Sequence, residues 1–144
     1  MTVNPYAAQQ EILAYLRTLP FPEFFEGSVP DGDDIPLDAK GNIKPHVVVN
    51  FAGLTEPPKK TNGITGAQDD SFIQGFSTHA IAGDDDAARQ VHNAVLMKLL
   101  GFRPFACGEI RPAFFAGVGE ISSHGQPTRY SAVQAFKFLL NSAS

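Results

Sequence analysis

Histidines, cysteines, serines and grouped carboxylates are where reactive sites are usually found, and the chain has several serines, four histidines, two acidic clusters and one cysteine. Histidines stand at positions 46, 79, 92 and 124. No H-E-x-x-H helix and no Cys/His cluster groups them, so there is no zinc spacing and they read as ordinary strand or surface residues. Gly75-Phe76-Ser77-Thr78-His79 resembles the turn that exposes a nucleophilic serine, but His79 replaces the closing glycine and no strand-to-helix turn follows Ser77. Asp31-Gly32-Asp33-Asp34 begins like a calcium loop, yet Pro36 takes the glycine position and Asn42 stands where a bidentate Glu is needed. A solvated acidic loop fits better. Asp84, Asp85 and Asp86 could hold a cation, but carboxylates ahead of a helix are accounted for by its free N–H groups and dipole. Gly117-Val118-Gly119 precedes no helix start and has Glu120 beside it, which suits a bend in a strand rather than a phosphate cradle. Cys107 lacks an evident base and reads as an inert or mildly exposed thiol. No catalytic, cofactor-binding or metal-ligating residue is assigned, and no enzyme activity is expected.

Composition narrows the classes further. A chain of 144 residues suits one domain, 1–144, with a core of its own. Its hydrophobic fraction of 43% is slightly below the globular range, which also counts Gly, and twelve Phe with no Trp make Phe the main aromatic core filler. The net charge of −4 argues against tight nucleic-acid binding, since only Lys59 and Lys60 are adjacent cations. The single cysteine rules out an internal disulfide. Residues 1–10 lack a basic start and an apolar run, so no signal peptide is expected, and no stretch approaches a membrane span. The expected place of synthesis is a cytoplasm.

Several elements follow from pattern and punctuation. Asn4-Pro5 reads as an N-cap and first helical position, with a helix to about Leu19 whose apolar face is Ala8, Ile12, Tyr15, Leu16 and Leu19. Pro20 and Pro22 close it. Residues 24–29 suit a short strand, and Lys40-Gly41-Asn42 a turn within the Asp/Gly/Pro-rich stretch 30–45. Residues 46–51 (HVVVNF) form the clearest buried strand. The polar stretch 54–70 reads as a long loop or a protruding hairpin. A strand over 72–82 runs into a second helix capped by Asp84 or Asp85. Its expected buried side is Ala88, Val91, Val95 and Leu99 with Ala87 and Ala94, broadened by Leu96 and Leu100, and Gly101 follows its end. Strands over 114–122 and 130–140, joined by a turn at 124–127, favour an antiparallel pair. The order predicts an α+β fold: a mixed or mostly antiparallel sheet with two helices packed on one face.

The strand from Phe76 to Ala82, the cap and helix start Gly83-Asp84-Asp85-Asp86-Ala87-Ala88-Arg89, and the helix through Leu100-Gly101 resemble the tail-terminator proteins of siphophages, the lambda type. Arg129-Tyr130-Ser131-Ala132-Val133-Gln134-Ala135-Phe136-Lys137-Phe138 is similar to that family's closing strand. The N-terminal helix fits in outline, whereas 54–70 and 102–115 have no counterpart. The resemblance implies a homo-hexameric ring in the virion, at the top of the tail, assembled in the cytoplasm of a host bacterium. The ring would cap the tail tube protein, end its polymerisation, and meet a head-completion or stopper protein of the neck, with the tape-measure protein a further candidate partner. DNA would pass through it without specific binding, and no membrane or cofactor is implied. Candidate interface residues are Lys59, Lys60 and Ile64 in the 54–70 excursion and Asp31, Asp33 and Asp34 in the acidic loop. An acidic or neutral lumen is expected, supplied by residues 31–38 or 84–86. The competing readings are another neck protein of the same structural class, or a small ligand-binding or enzymatic α+β domain, which would need a concave apolar pocket with converging polar groups.

Overall fold

Asn4 starts the first helix by accepting the Tyr6 N–H on Oδ1 at 2.9 Å, and Pro5 occupies the first turn, where its missing N–H costs nothing. This computed structural model describes residues 4–20, 23–27, 35–55, 72–104, 107–113, 121–125 and 128–140. Helix α1 (Pro5–Leu16) stops three residues short of the expected end. There the Thr18 and Leu19 N–H groups bond the carbonyls three residues back, Tyr15 and Leu16, so the last turn tightens while Leu19 keeps its apolar contact with the core.

The sheet is mixed and mostly antiparallel. Its strands are β1 (Glu23–Glu26), β2 (His46–Thr55), β3 (Ile73–Ala82), β4 (Arg111–Pro112), β5 (Ser122–His124) and β6 (Arg129–Leu139). Their order is β1-β2-β3-β6-β4, with β5 also paired to β6. Among the described strands only β1 and β2 run parallel. Helix α2 (Asp85–Leu99) follows β3 directly and packs on β3 and β6. The α+β fold expected from the sequence is present.

Alternation along β3 and β6 builds the core. Phe76 lies opposite Phe136, Thr78 opposite Gln134 and Ala80 opposite Ala132, all buried. The Phe76 and Phe136 rings stack with centroids 5.1 Å apart, and Phe51 lies 5.6 Å from Phe76. Ala8, Ile12, Leu13 and Leu16 of α1 and Val91, Val95, Leu96 and Leu99 of α2 join the same cluster. Tyr15 stacks on Phe102 at 3.8 Å and carries Lys98 Nζ 4.3 Å above its ring, which ties α1 to the end of α2. Gln74 is fully buried without penalty, because its amide donates to the Ala52 and Gly75 carbonyls and its Oε1 accepts from Gln9.

One strand end and one helix face differ from expectation. β2 continues to Thr55, past a register shift between Phe51 and Leu54. Residues 52–55 are exposed, so the ladder outlasts the apolar pattern. On α2, Ala94 is exposed and His92 is buried in the core stripe. At the helix end Gly101 sits at φ +82° after the Leu100 cap, the conformation expected of it. Thr55 pairs with Ile73, so the excursion leaves and re-enters the sheet between neighbouring antiparallel strands. Apart from Leu54 and Thr55, residues 54–70 lie outside the described residues, as do most of the strand expected over 114–122 and residues 28–29 of the first strand.

Candidate functional site

Strand alternation places Ser77 and His79 on the sheet face opposite Phe76, both half-buried. Ser77 Oγ lies 3.4 Å from His79 Nε2, Asn50 pairs across from Ser77, and Val48 and Val133 flank His79. Burial holds His79 below its ordinary pKa, so its neutral ring could accept the hydroxyl proton. The rest of a nucleophilic site is missing among the described residues. β3 is paired on both sides here, so its N–H groups belong to the ladder and cannot cradle an oxyanion. No carboxylate is bonded to His79 there, and no group of three or more His, Cys, Asp or Glu side chains could hold a metal ion.

The other histidines divide by environment. His46 opens β2 and is fully buried. Its Nδ1–H donates to the Lys44 carbonyl at 2.8 Å, leaving Nε2 as an acceptor with no hydrogen-bond partner among the described residues. Its ring stands edge-on to Phe25, with centroids 5.9 Å apart. Burial is the main reason its pKa is lowered. The Lys44 hydrogen bond and Glu23 oppose that shift, and Arg129 adds to it. His92 is buried on α2, and His124 lies in β5. Cys107 is buried, and burial first, then Glu11, pushes its thiol up to about 11, so it carries little thiolate near neutrality.

Asp84, Asp86 and Asp38 serve local structure. Asp84 caps α2 by accepting the Ala87 N–H at 2.7 Å, which settles the choice between Asp84 and Asp85, and Asp86 accepts from Gln90. Asp38 Oδ1 accepts the Lys40 and Asn42 N–H groups and holds the turn in which Gly41 has φ +80°. The candidate interface residues Asp31, Asp33, Asp34, Lys59, Lys60 and Ile64 lie outside the described residues, as does the Gly117-Val118-Gly119 segment.

Pattern reading missed a groove of about 350 Å³ at the far end of β6. Ile73 and Leu139, opposite one another in the ladder, give it an apolar floor, and Glu109, Arg111 and Lys137 rim it. The chain returning from α2 crosses β6 closely: the Gly108 N–H donates to the Leu139 carbonyl at 2.8 Å, and a Cβ at Gly108 would lie 3.2 Å from Leu139 Cβ. Arg111 and Glu109 pair loosely at 3.9 Å, both well exposed, a contact worth little to stability. A second, polar hollow of about 430 Å³ lies between the Gly41 turn and the start of α2, beside Gly83 and Thr128. The groove could take an apolar side chain next to a negative charge. Its residues are scattered over 73, 108–111 and 137–139, and only Gly108 carries a local signal, a close backbone approach. Among the described residues no helix is long and apolar enough to cross a membrane. No family model matches the chain, and no curated protein is significantly similar to it.

Proposed function

We propose that the chain is a structural ring subunit of a long-tailed bacteriophage, the tail terminator that caps the tail tube and joins it to the neck. The observation that carries this reading is the arrangement of the segments that resemble the family. Residues 76–101 form most of β3, the Asp84 cap and α2, and residues 129–138 form most of β6. β3 and β6 pair over ten consecutive residues, and α2 packs on both, so segments distant in sequence make one continuous unit. The shared core cluster supports a further part of the proposal: both helices cover the face bearing Val47, Phe76 and Phe136. The face bearing Ser77, His79 and Val133 is then left for contacts with other chains. The role is non-enzymatic and the partners are copies of itself, the tube and a neck protein.

The deciding experiment is to delete this chain from the phage that encodes it and measure tails by electron microscopy, with labelled protein added back. Tubes of uncontrolled length, corrected by protein that localises to the tail top, are expected. Tubes of normal length, or label elsewhere in the particle, would refute the terminator role. Label at the head side of the neck would favour a stopper or head-completion protein instead.

A further inference from the structure

Helix α2 is half used. Ala88, Val91, Val95 and Leu99 face the core, whereas Asp86, Arg89, Gln90, Asn93, Ala94 and Met97 form one exposed stripe at helical spacing. Met97 is 74% exposed, the most of any large hydrophobic among the described residues. An unbranched thioether there adds nothing to the subunit's own core, but it can adapt to the shape of a foreign pocket. Asp85 and Asp86, in the first turn of this helix, form no ion pair among the described residues and outnumber the single Arg89, so the helix is acidic at one end of the stripe and apolar at the other.

The groove at the end of β6 has the complementary pattern. Its floor is Ile73 and Leu139. Its rim carries Arg111 and Lys137 against the single Glu109, a local positive excess on a chain of net charge −4. Asp86 and Met97 are separated by roughly 16 Å along the helix. Lys137 stands two residues, about 7 Å, along β6 from Leu139. With the reach of two long cationic side chains, floor and rim span a comparable length.

The geometry points to the exposed stripe of α2 in one copy seating in the β6 groove of the next, Met97 on the Ile73–Leu139 floor and the acidic end beside Lys137 and Arg111. This rests on the ring reading above and specifies its subunit contact. The two patches oppose each other within a subunit. The buried side of α2 shares the core cluster with Phe76 and Phe136, while Ile73, Lys137 and Leu139 point the other way by alternation. A two-fold pair cannot readily satisfy both patches at once. A head-to-tail contact can, and it closes into a ring.

The test is disulfide trapping in the full chain, after melting curves confirm that the variants fold. Met97→Cys and Leu139→Cys together, treated with diamide, should give a ladder extending beyond dimers. A mixture of the two single variants should stop at dimers, and the buried Cys107 should contribute nothing. Lys137→Glu should weaken association about tenfold or more, and Asp86→Lys should restore it in that background. If the unmodified chain assembles by light scattering but no ladder forms and Lys137→Glu has no effect, this contact is wrong while the ring stands. If the unmodified chain stays monomeric at every concentration, also with tail tubes added, and no ladder forms, the ring reading fails and this contact with it.

Discussion

Leu99 and Asp84 sit at opposite ends of α2 and hold it by different forces, so truncating each separates those forces. Leu99 is fully buried in the core cluster. Leu99→Ala removes three carbon groups, about 2.4 kcal/mol of transfer free energy at ~0.8 kcal/mol each. The unfilled space raises the total toward the upper part of the roughly 2–5 kcal/mol range for such truncations. Asp84 is exposed and contributes one charge-assisted acceptor to the Ala87 N–H. Asp84→Ala should therefore cost only about 1 kcal/mol, and Asp84→Asn less, since asparagine caps as well. At this chain length each kcal/mol lowers Tm by about 3 °C, so the expected drops are roughly 6–15 °C for Leu99→Ala and about 3 °C for Asp84→Ala. Urea titrations followed by circular dichroism at 222 nm, with m held common, measure both. Equal losses from the two substitutions would refute the argument that packing rather than capping holds this helix.

Three further outcomes follow from particular residues. His46 has a folded pKa below its ordinary 6.5, so the unfolded chain binds the extra proton more readily. Its stabilising contribution is whole above pH 6.5 and is lost as the pH falls below that value. The urea midpoint should drop between pH 7.5 and 5.5, and by less in His46→Gln; an unchanged slope in that variant would exclude His46 as the source. Gly101 has φ +82° with nothing within 4 Å of a would-be Cβ, so Gly101→Ala should cost about 1 kcal/mol through backbone strain alone and Gly101→Asn less, read from the same titrations. Cys107, buried with its thiol pushed up to about 11, should react with Ellman's reagent at pH 8 only in denaturant; rapid labelling of the native chain would contradict its placement.

What could be read from the sequence was local. The start of α1 was written in Asn4-Pro5, and α2 in its acidic cap, its 3.6-residue periodicity and Gly101. The edges of those patterns misled where a residue's type and its location disagree. His92 occupies a core position that a hydrophobic count skips, while Ala94 satisfies the count yet faces solvent. The outer part of β2 kept its ladder after leaving the core, with Ala52 and Leu54 exposed. The parallel pairing of β1 with β2 and the two-residue β4 were not foreseen, because strand partners far apart in the chain leave no spacing to read. The β6 groove is the extreme case: three separate stretches meet only once the chain from α2 crosses β6 at Gly108.

The proposed contact also bears on how a ring would treat DNA. Duplex DNA carries one negative charge per roughly 1.7 Å of axis, so a channel lined with cations would retain it and an acidic one would let it slide. Two acidic groups were candidates for that lining, residues 31–38 and residues 84–86. Asp84 is committed to the Ala87 N–H, and a neighbour's Lys137 and Arg111 would neutralise Asp85 and Asp86. The lining would then fall to Asp31, Asp33 and Asp34. Replacing those three with Lys should leave assembly intact and give the ring a salt-sensitive grip on duplex DNA, with about 0.9 added to the salt slope for each phosphate neutralised. Asp85→Lys with Asp86→Lys should instead weaken assembly and give no comparable grip. Filter binding across a salt series, beside light scattering of the same variants, separates the two. If the second pair produces the grip while rings persist, the first turn of α2 faces the channel and the proposed contact must lie elsewhere.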